Sequence, residues 1–202
     1  MAKIKLTKNE LKKQRDALKR YTRYLPTLEL KKQQLLAEIR RIQDLARSKE
    51  QEQKKLKQDL DAWVAVFAED VKLDALFEVA ELKTSKGNIA GIDIPVFEKL
   101  EFRDVAYDYM DYPLWVDRGV EVTKKMISLK KELDILHEQE ELVQKELMTT
   151  VQRINLFDKV KIPEAKLNIK RIQIFMSDQD TAAVVRGKIS KSKIQKKAQQ
   201  AG

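Results

Sequence analysis

The chain contains no cysteine, and its 202 residues include only five glycines and four prolines. Average proteins carry roughly 12% of these two residues together, so the main helix breakers are scarce. Neither occurs from 27 to 86, a stretch of 60 residues, nor from 120 to 162, a stretch of 43. Glycine costs a helix backbone entropy and proline removes a donor, so two such stretches predict two long helices. They exclude a β-sandwich, a doubly wound dinucleotide-binding sheet or a glycine-rich phosphate cradle as the main theme.

Other absences narrow the chemistry. Without cysteine there is no disulfide scaffold, which suits a reducing compartment. His137 is the single histidine, so a zinc site or a histidine-based triad has nothing to be built from. Gly187-Lys188 is followed by Ile189 and completes no phosphate-binding loop. No catalytic carboxylate pair and no cofactor are expected. The longest apolar run, Ala62 to Ala68, has seven residues, against about 20 for a membrane-spanning helix. The first residues, Met1-Ala2-Lys3-Ile4-Lys5-Leu6, hold no apolar signal-peptide core. A soluble or peripheral protein without direct membrane insertion is the expectation.

Charge is plentiful and uneven. Charged residues make up 36% of the chain and aromatics 6%, so the core is thin for this length, as in a two-helix seam that buries a narrow stripe. Of the net +9, residues 1–23 contribute +7 and residues 186–202 contribute +6, leaving −4 for the middle. Basic ends suit nucleic acid, an anionic membrane or a solvated tail.

The first helix is expected to start at Thr7, where Thr7-Lys8-Asn9-Glu10 has the form of a capping box. A seven-residue repeat then runs through Leu11, Leu18, Leu25, Lys32, Ile39, Ala46, Gln53, Leu60 and Phe67. It is interleaved with Gln14, Tyr21, Leu28, Leu35, Ile42, Lys49, Leu56 and Trp63; thirteen of the seventeen are apolar. Leu36 and Leu45 lie off this seam and are expected to widen the stripe. Pro26 is expected to kink or restart the helix. A second seam follows Gly119: Val122, Met126, Leu129, Leu133, Leu136, Glu140, Val143, Leu147, Thr150, Ile154 and Phe157. Pro163 then suits the first turn of a further helix, which carries Ile169, Ile172, Phe175, Met176, Ala182, Ala183, Val185 and Ile189. The polar seam residues Lys32, Lys49, Gln53, Glu140 and Thr150 mark either gaps and register points or places where a third partner packs.

The middle differs in composition. Residues 63–115 hold nine of the thirteen aromatics, and Gly87, Gly91 and Pro95 fall within nine residues. Ile92, Ile94 and Val96 alternate with Asp93 and Pro95, a period of two that predicts a short strand, with the proline at an edge. The layout predicted is therefore a long N-terminal helix over 7–80, a β-hairpin or irregular knob over 84–113 with Tyr107, Tyr109, Tyr112 and Trp115 near its base, a helical segment over 115–190 and a flexible basic tail over 191–202. The fold class is mainly α: the N- and C-terminal segments fold back as a long antiparallel two-helix coiled coil. About 60 helical residues would span roughly 90 Å and bring both basic ends to one tip.

Three blocks carry a resemblance: Leu6-Thr7-Lys8 with the helix through Leu35; Asn88-Ile89-Ala90-Gly91-Ile92-Asp93-Ile94-Pro95; and Asn168-Ile169-Lys170-Arg171-Ile172 continuing to Asp180-Thr181-Ala182-Ala183-Val184-Val185-Arg186-Gly187-Lys188-Ile189. In that order the chain resembles the D subunits of the V/A-type (vacuolar and archaeal-type) ATPases and ATP synthases over nearly its whole length. It departs from the family at Lys32-Gln33-Gln34-Leu35, where many members have Lys-Arg-Asp-x-Leu, and at Pro26. The resemblance implies a non-catalytic central-stalk rotor. Its partners would be the catalytic and nucleotide-binding subunits of a hexamer, the small F subunit of the stalk and a socket subunit on the membrane ring. The place implied is cytoplasmic and peripheral to the membrane. Candidate partner contacts are Asn88, Ile89, Gly91 and Pro95 in the knob and Arg186, Lys188, Lys191 and Lys193 at the basic tip. The alternatives left by composition are a nucleic-acid-binding coiled coil, poorly served by the few aromatics among the basic residues, and a homodimeric structural scaffold.

Overall fold

A computed structural model describes residues 4–61, 76–105, 112–113 and 115–200. The elements are α1 (Lys8–Asp61), β1 (Phe77–Ile89), β2 (Ile92–Asp104), α2 (Val116–Asn155), a π-helical segment (Leu156–Lys161) and α3 (Ile162–Gln200). The fold is mainly helical with one small antiparallel hairpin between the helices, as expected. The backbone groups into two units: Lys31–Thr150, and Met1–Leu30 together with Val151–Gly202.

In the first of these, α1 and α2 run antiparallel. Lys31 pairs with Glu146 at 2.6 Å, Gln43 donates to Glu140 at 2.7 Å, and Lys49 meets Glu132 at 3.0 Å. Lys125 meets Glu52 at 3.6 Å. As numbers rise along α1 they fall along α2. Between these pairs Leu35, Ile39, Ile42 and Ala46 pack with Leu133, Leu136 and Val143, all buried. Two of the polar seam positions thus find cross-helix partners: Lys49 takes Glu132, and Glu140 accepts from Gln43, with Gln144 of its own helix as a second donor. Such pairs contribute about 0–1 kcal/mol each when partly exposed, so the apolar layers hold the helices and the polar pairs fix their register. Thr150 is 1% exposed, and its hydroxyl has no partner. Leu36 and Leu45 do not widen the stripe; both are exposed, because the 3.5-residue repeat turns them away from α2.

The hairpin lies on the same helix pair. Its tip buries Ile94, with Ile89, Ile92 and Val96 half-buried, against the Leu35–Val143 cluster. Its base forms a second cluster of Leu76, Phe77, Val116 and Val120, with Phe102, Tyr112, Trp115 and Ile127 around it. The Phe77 and Phe102 rings meet edge to face at 5.8 Å. The Lys124 ammonium, paired with Asp104, lies within 6 Å of both rings, a cation–π arrangement. Tyr107 and Tyr109 lie outside the described residues.

The other unit pairs the start of α1 with the C-terminal helix. Tyr21 and Phe157 meet at 5.0 Å between ring centroids. Ala165, Asn168 and Ile172 are buried on α3, and Leu11, Leu18, Leu25 and Leu28 are half-buried on α1. The Thr7 hydroxyl accepts from the Glu10 N–H at 3.3 Å, as the capping pattern predicts.

Several boundaries differ from expectation. Pro26 does not restart α1, which is helical from Lys8 to Asp61. Its side chain is exposed, so the carbonyl of Thr22, left without a helix donor, can take water instead. Residues 77–80 belong to β1 and not to the first helix, and the hairpin spans 77–104 rather than starting at 84. The second helix begins at Val116, before Gly119, which is buried one turn in. The chain stays helical to Gln200, through the region expected as a tail.

Candidate functional site

The knob residues form a tight turn. Ile89 pairs with Ile92 across a two-residue loop, and both loop residues have positive φ: Ala90 at 52° and Gly91 at 86°. This is the mirror-image turn that matches the right-handed twist of a hairpin. Asn88 supports it from both ends of its amide. Its Oδ1 accepts from the Gly91 N–H at 3.0 Å, and its Nδ2 donates to Asp93 at 2.9 Å. Gly87 is required for another reason: a Cβ there would lie 2.8 Å from Val96 Cγ2 on the facing strand. Asn88 and Gly91 are therefore turn residues, while Ile89 points inward toward the helices.

Pro95 sits inside β2 opposite Lys86. With two strands in the sheet both are edges, so its missing N–H costs the ladder little. Its carbonyl accepts from the side-chain amide of Gln139, which is 7% exposed on α2. This bond ties the hairpin tip to the helix pair. The tip, α1 and α2 enclose a cleft of about 620 Å³, bordered by Glu38, Arg41 and Leu45 on one side and by Glu132 and Ile135 on the other. Sequence periodicity misses Gln139 and Ile135. The available signal is a second apolar line on α2, Val116, Val120, Ile127 and Ile135, which is off the first seam and faces the hairpin.

On the outer face of the hairpin, Lys83 donates to Glu101 at 2.8 Å, with Lys99 at 3.7 Å. The hydrogen bond and then the charge of Lys83 hold the Glu101 carboxyl below its ordinary range, and the same two effects push the Lys83 ammonium up. The two side chains are 45% and 36% exposed, so the pair is a solvent-screened surface feature.

The basic-tip residues lie elsewhere, on α3. Arg186, Lys188, Lys191 and Lys193 are all exposed. At 100° per residue they fall on two opposite sides of the helix: Arg186 and Lys193 share one, Lys188 and Lys191 the other. Leu11 of α1 and Met176, Asp180 and Val184 of α3 border one shallow cleft, so the start of α1 faces the middle of α3. Beyond it, α3 has little cover. Of the side chains from Ser177 to Lys196, Ala182 alone is even half-buried, and Val184, Val185, Ile189 and Ile194 are 49–66% exposed.

Among the described residues no group of three or more His, Cys, Asp or Glu side chains is placed to hold a metal ion. His137 is exposed on α2. No described helix is long and apolar enough to cross a membrane.

Residues 10–192 match the family model for the D subunit of ATP synthase. The V-type ATP synthase D subunit of Borreliella burgdorferi is 49% identical over 197 residues, covering 98% of both chains. The protein of the same name in Chlamydia caviae is 30% identical over 98% of this chain and 96% of its own length. That of Chlamydia trachomatis serovar L2 is 32% identical over 95% of this chain and 96% of its own. The chain belongs to the family of V-type ATP synthase D subunits.

Proposed function

We propose that this chain is the non-catalytic central shaft of its complex, carrying torque between a membrane ion-conducting ring and a hexamer of catalytic and nucleotide-binding subunits. The observation that carries the reading is the bare end of α3. A helix of some twenty residues with so little intramolecular cover is marginal alone in water. Exposed Val184, Val185, Ile189 and Ile194 between exposed cations call for surroundings that a partner supplies. Basic residues on two opposite sides of that helix suit a sleeve of acidic or dipolar groups, against which a turning shaft slides more readily than against interlocked apolar contacts.

Helices transmit twist well when their ladders and seams are continuous. α1 runs 54 residues, and the seam residues described on it, from Leu11 to Leu60, are all buried or half-buried. An asymmetric shaft turning in a near-threefold ring makes the three catalytic sites unequal in turn. Nucleotide chemistry then follows from population shifts that the shaft imposes. The hairpin tip, with Asn88, Ile89, Gly91 and Pro95, is the proposed contact region for other stalk components: the small F subunit and the socket subunit. The complex-bound chain would lie on the cytoplasmic side, peripheral to the membrane.

Affinity purification of the full chain from its own cells, followed by mass spectrometry, tests the assignment. The catalytic, nucleotide-binding and small stalk subunits should be recovered together. Recovery of the chain alone or as a homodimer would contradict it.

A further inference from the structure

The C-terminal helix carries one residue too many for its own seam. Phe157 faces α1 through its ring contact with Tyr21, and Ile154, one turn before it, is half-buried. Continuing from Phe157 in steps of seven reaches Glu164 and Arg171. Both are exposed, and the buried positions come one residue later, at Ala165 and Ile172. The half-buried residue in the next turn is likewise Met176 and not Phe175. One extra residue therefore separates Phe157 from Ala165, although Asn168, two heptads after Ile154, is also buried. The extra residue is absorbed where the helix widens to π geometry, Leu156–Lys161, and the Ile162 N–H bonds back to the Phe157 carbonyl, five residues away.

Three features leave that segment soft. None of its residues is buried, and Leu156 and Val160 are 44% and 48% exposed. Pro163 lies just beyond it, after Ile162, and having no N–H it cannot close the α-type bond to Lys159. On α1, Pro26 likewise leaves the Thr22 carbonyl without its helix donor, one residue from the Tyr21 ring that faces Phe157. Both helices are thus short of backbone bonds near the same aromatic contact.

We propose that the π segment Leu156–Lys161 is a bounded torsional step, at which α3 twists about its own axis relative to α1. Full conversion to α geometry would turn the following helix by about 100°. It would carry Glu164 and Arg171 into the places of Ala165 and Ile172. Burying those charges unpaired is costly, and this sets the stop. Twist is permitted within the step and resisted at its limit. This property belongs to the chain itself and does not depend on which partners it has.

The test uses paired nitroxide labels on the full chain, whose lack of native cysteine makes each pair unique. Gln152→Cys with Lys166→Cys brackets the segment; Lys130→Cys with Gln144→Cys gives a control of equal spacing on α2. The distance distribution across the segment should be broader than the control. Deleting Val160 removes the extra residue while keeping Ala165 and Ile172 on the seam, and should narrow the distribution to the control width. Pro163→Ala, which restores a donor and leaves the length unchanged, should narrow it in part. Equal widths in the unmodified chain would overturn the proposal, as would a distribution that neither change narrows.

Discussion

Gln139 on α2 donates its side-chain amide to the carbonyl of Pro95 on β2. One end of the bond is a buried side chain and the other is main chain on a strand that cannot complete its own ladder there. Replacing Gln139 by Leu would keep the bulk and strand the carbonyl. The expected loss is about 1–3 kcal/mol in urea unfolding, with helical circular dichroism unchanged. Unaltered stability would mean that water replaces the amide without cost.

The hairpin turn gives a prediction of opposite signs. Ala90 holds φ 52°, a conformation unfavourable to any residue with a Cβ. Ala90→Gly should therefore stabilise the chain by about 0.5–1 kcal/mol. Gly91→Ala, at φ 86° with open space around it, should destabilise by a similar amount through backbone strain alone. Thermal melting of both variants checks this; shifts in the same direction would refute the turn geometry.

Leu133 is 7% exposed within the main cluster, while Leu36 on α1 is 37% exposed. Leu133→Ala should cost about 2–5 kcal/mol, and Leu36→Ala should stay within about 0.5 kcal/mol. Comparable losses in both would show that the seam is assigned to the wrong face.

The Lys83–Glu101 pair should be visible by carboxyl NMR titration. Glu101 should titrate below the ordinary glutamate value of about 4.3, and Lys83→Met should return it upward. Because the folded carboxyl is the more acidic, any stabilisation from it is present above the ordinary value and lost as pH falls through the depressed one. The Lys83 contribution has the reverse sense, lost as pH rises through its raised value. Exposure keeps both small. A Glu101 titration unmoved by Lys83→Met would contradict the pairing.

What can be read from sequence follows from period. The seams from Leu11 to Leu60 and from Val122 to Phe157 are legible because apolar residues repeat every 3.5 positions over many turns, and charged neighbours make the contrast. β1 is not, and the ladder explains why. Phe77, Val79 and Leu82 alternate with charged residues except at Ala80, where the pairing slips between Val79 and Glu81. That bulge breaks the period of two, and no glycine or proline marks where the strand begins. The hairpin tip shows through its glycines and alternating isoleucines, whereas its tie to Gln139 joins residues 44 apart and leaves no local signal. The insertion before Ala165 is hidden because Glu164 and Arg171 read as ordinary surface residues until burial shows which positions face inward.

The rotor assignment is tested most directly by watching the chain move inside its complex. Glu98, exposed on the hairpin, can be replaced by the chain's only cysteine and coupled to a bead, with the hexamer fixed to a surface. On addition of ATP the bead should turn in one direction, pausing at thirds of a revolution. ATP hydrolysis at a normal rate with the bead stationary would contradict the account.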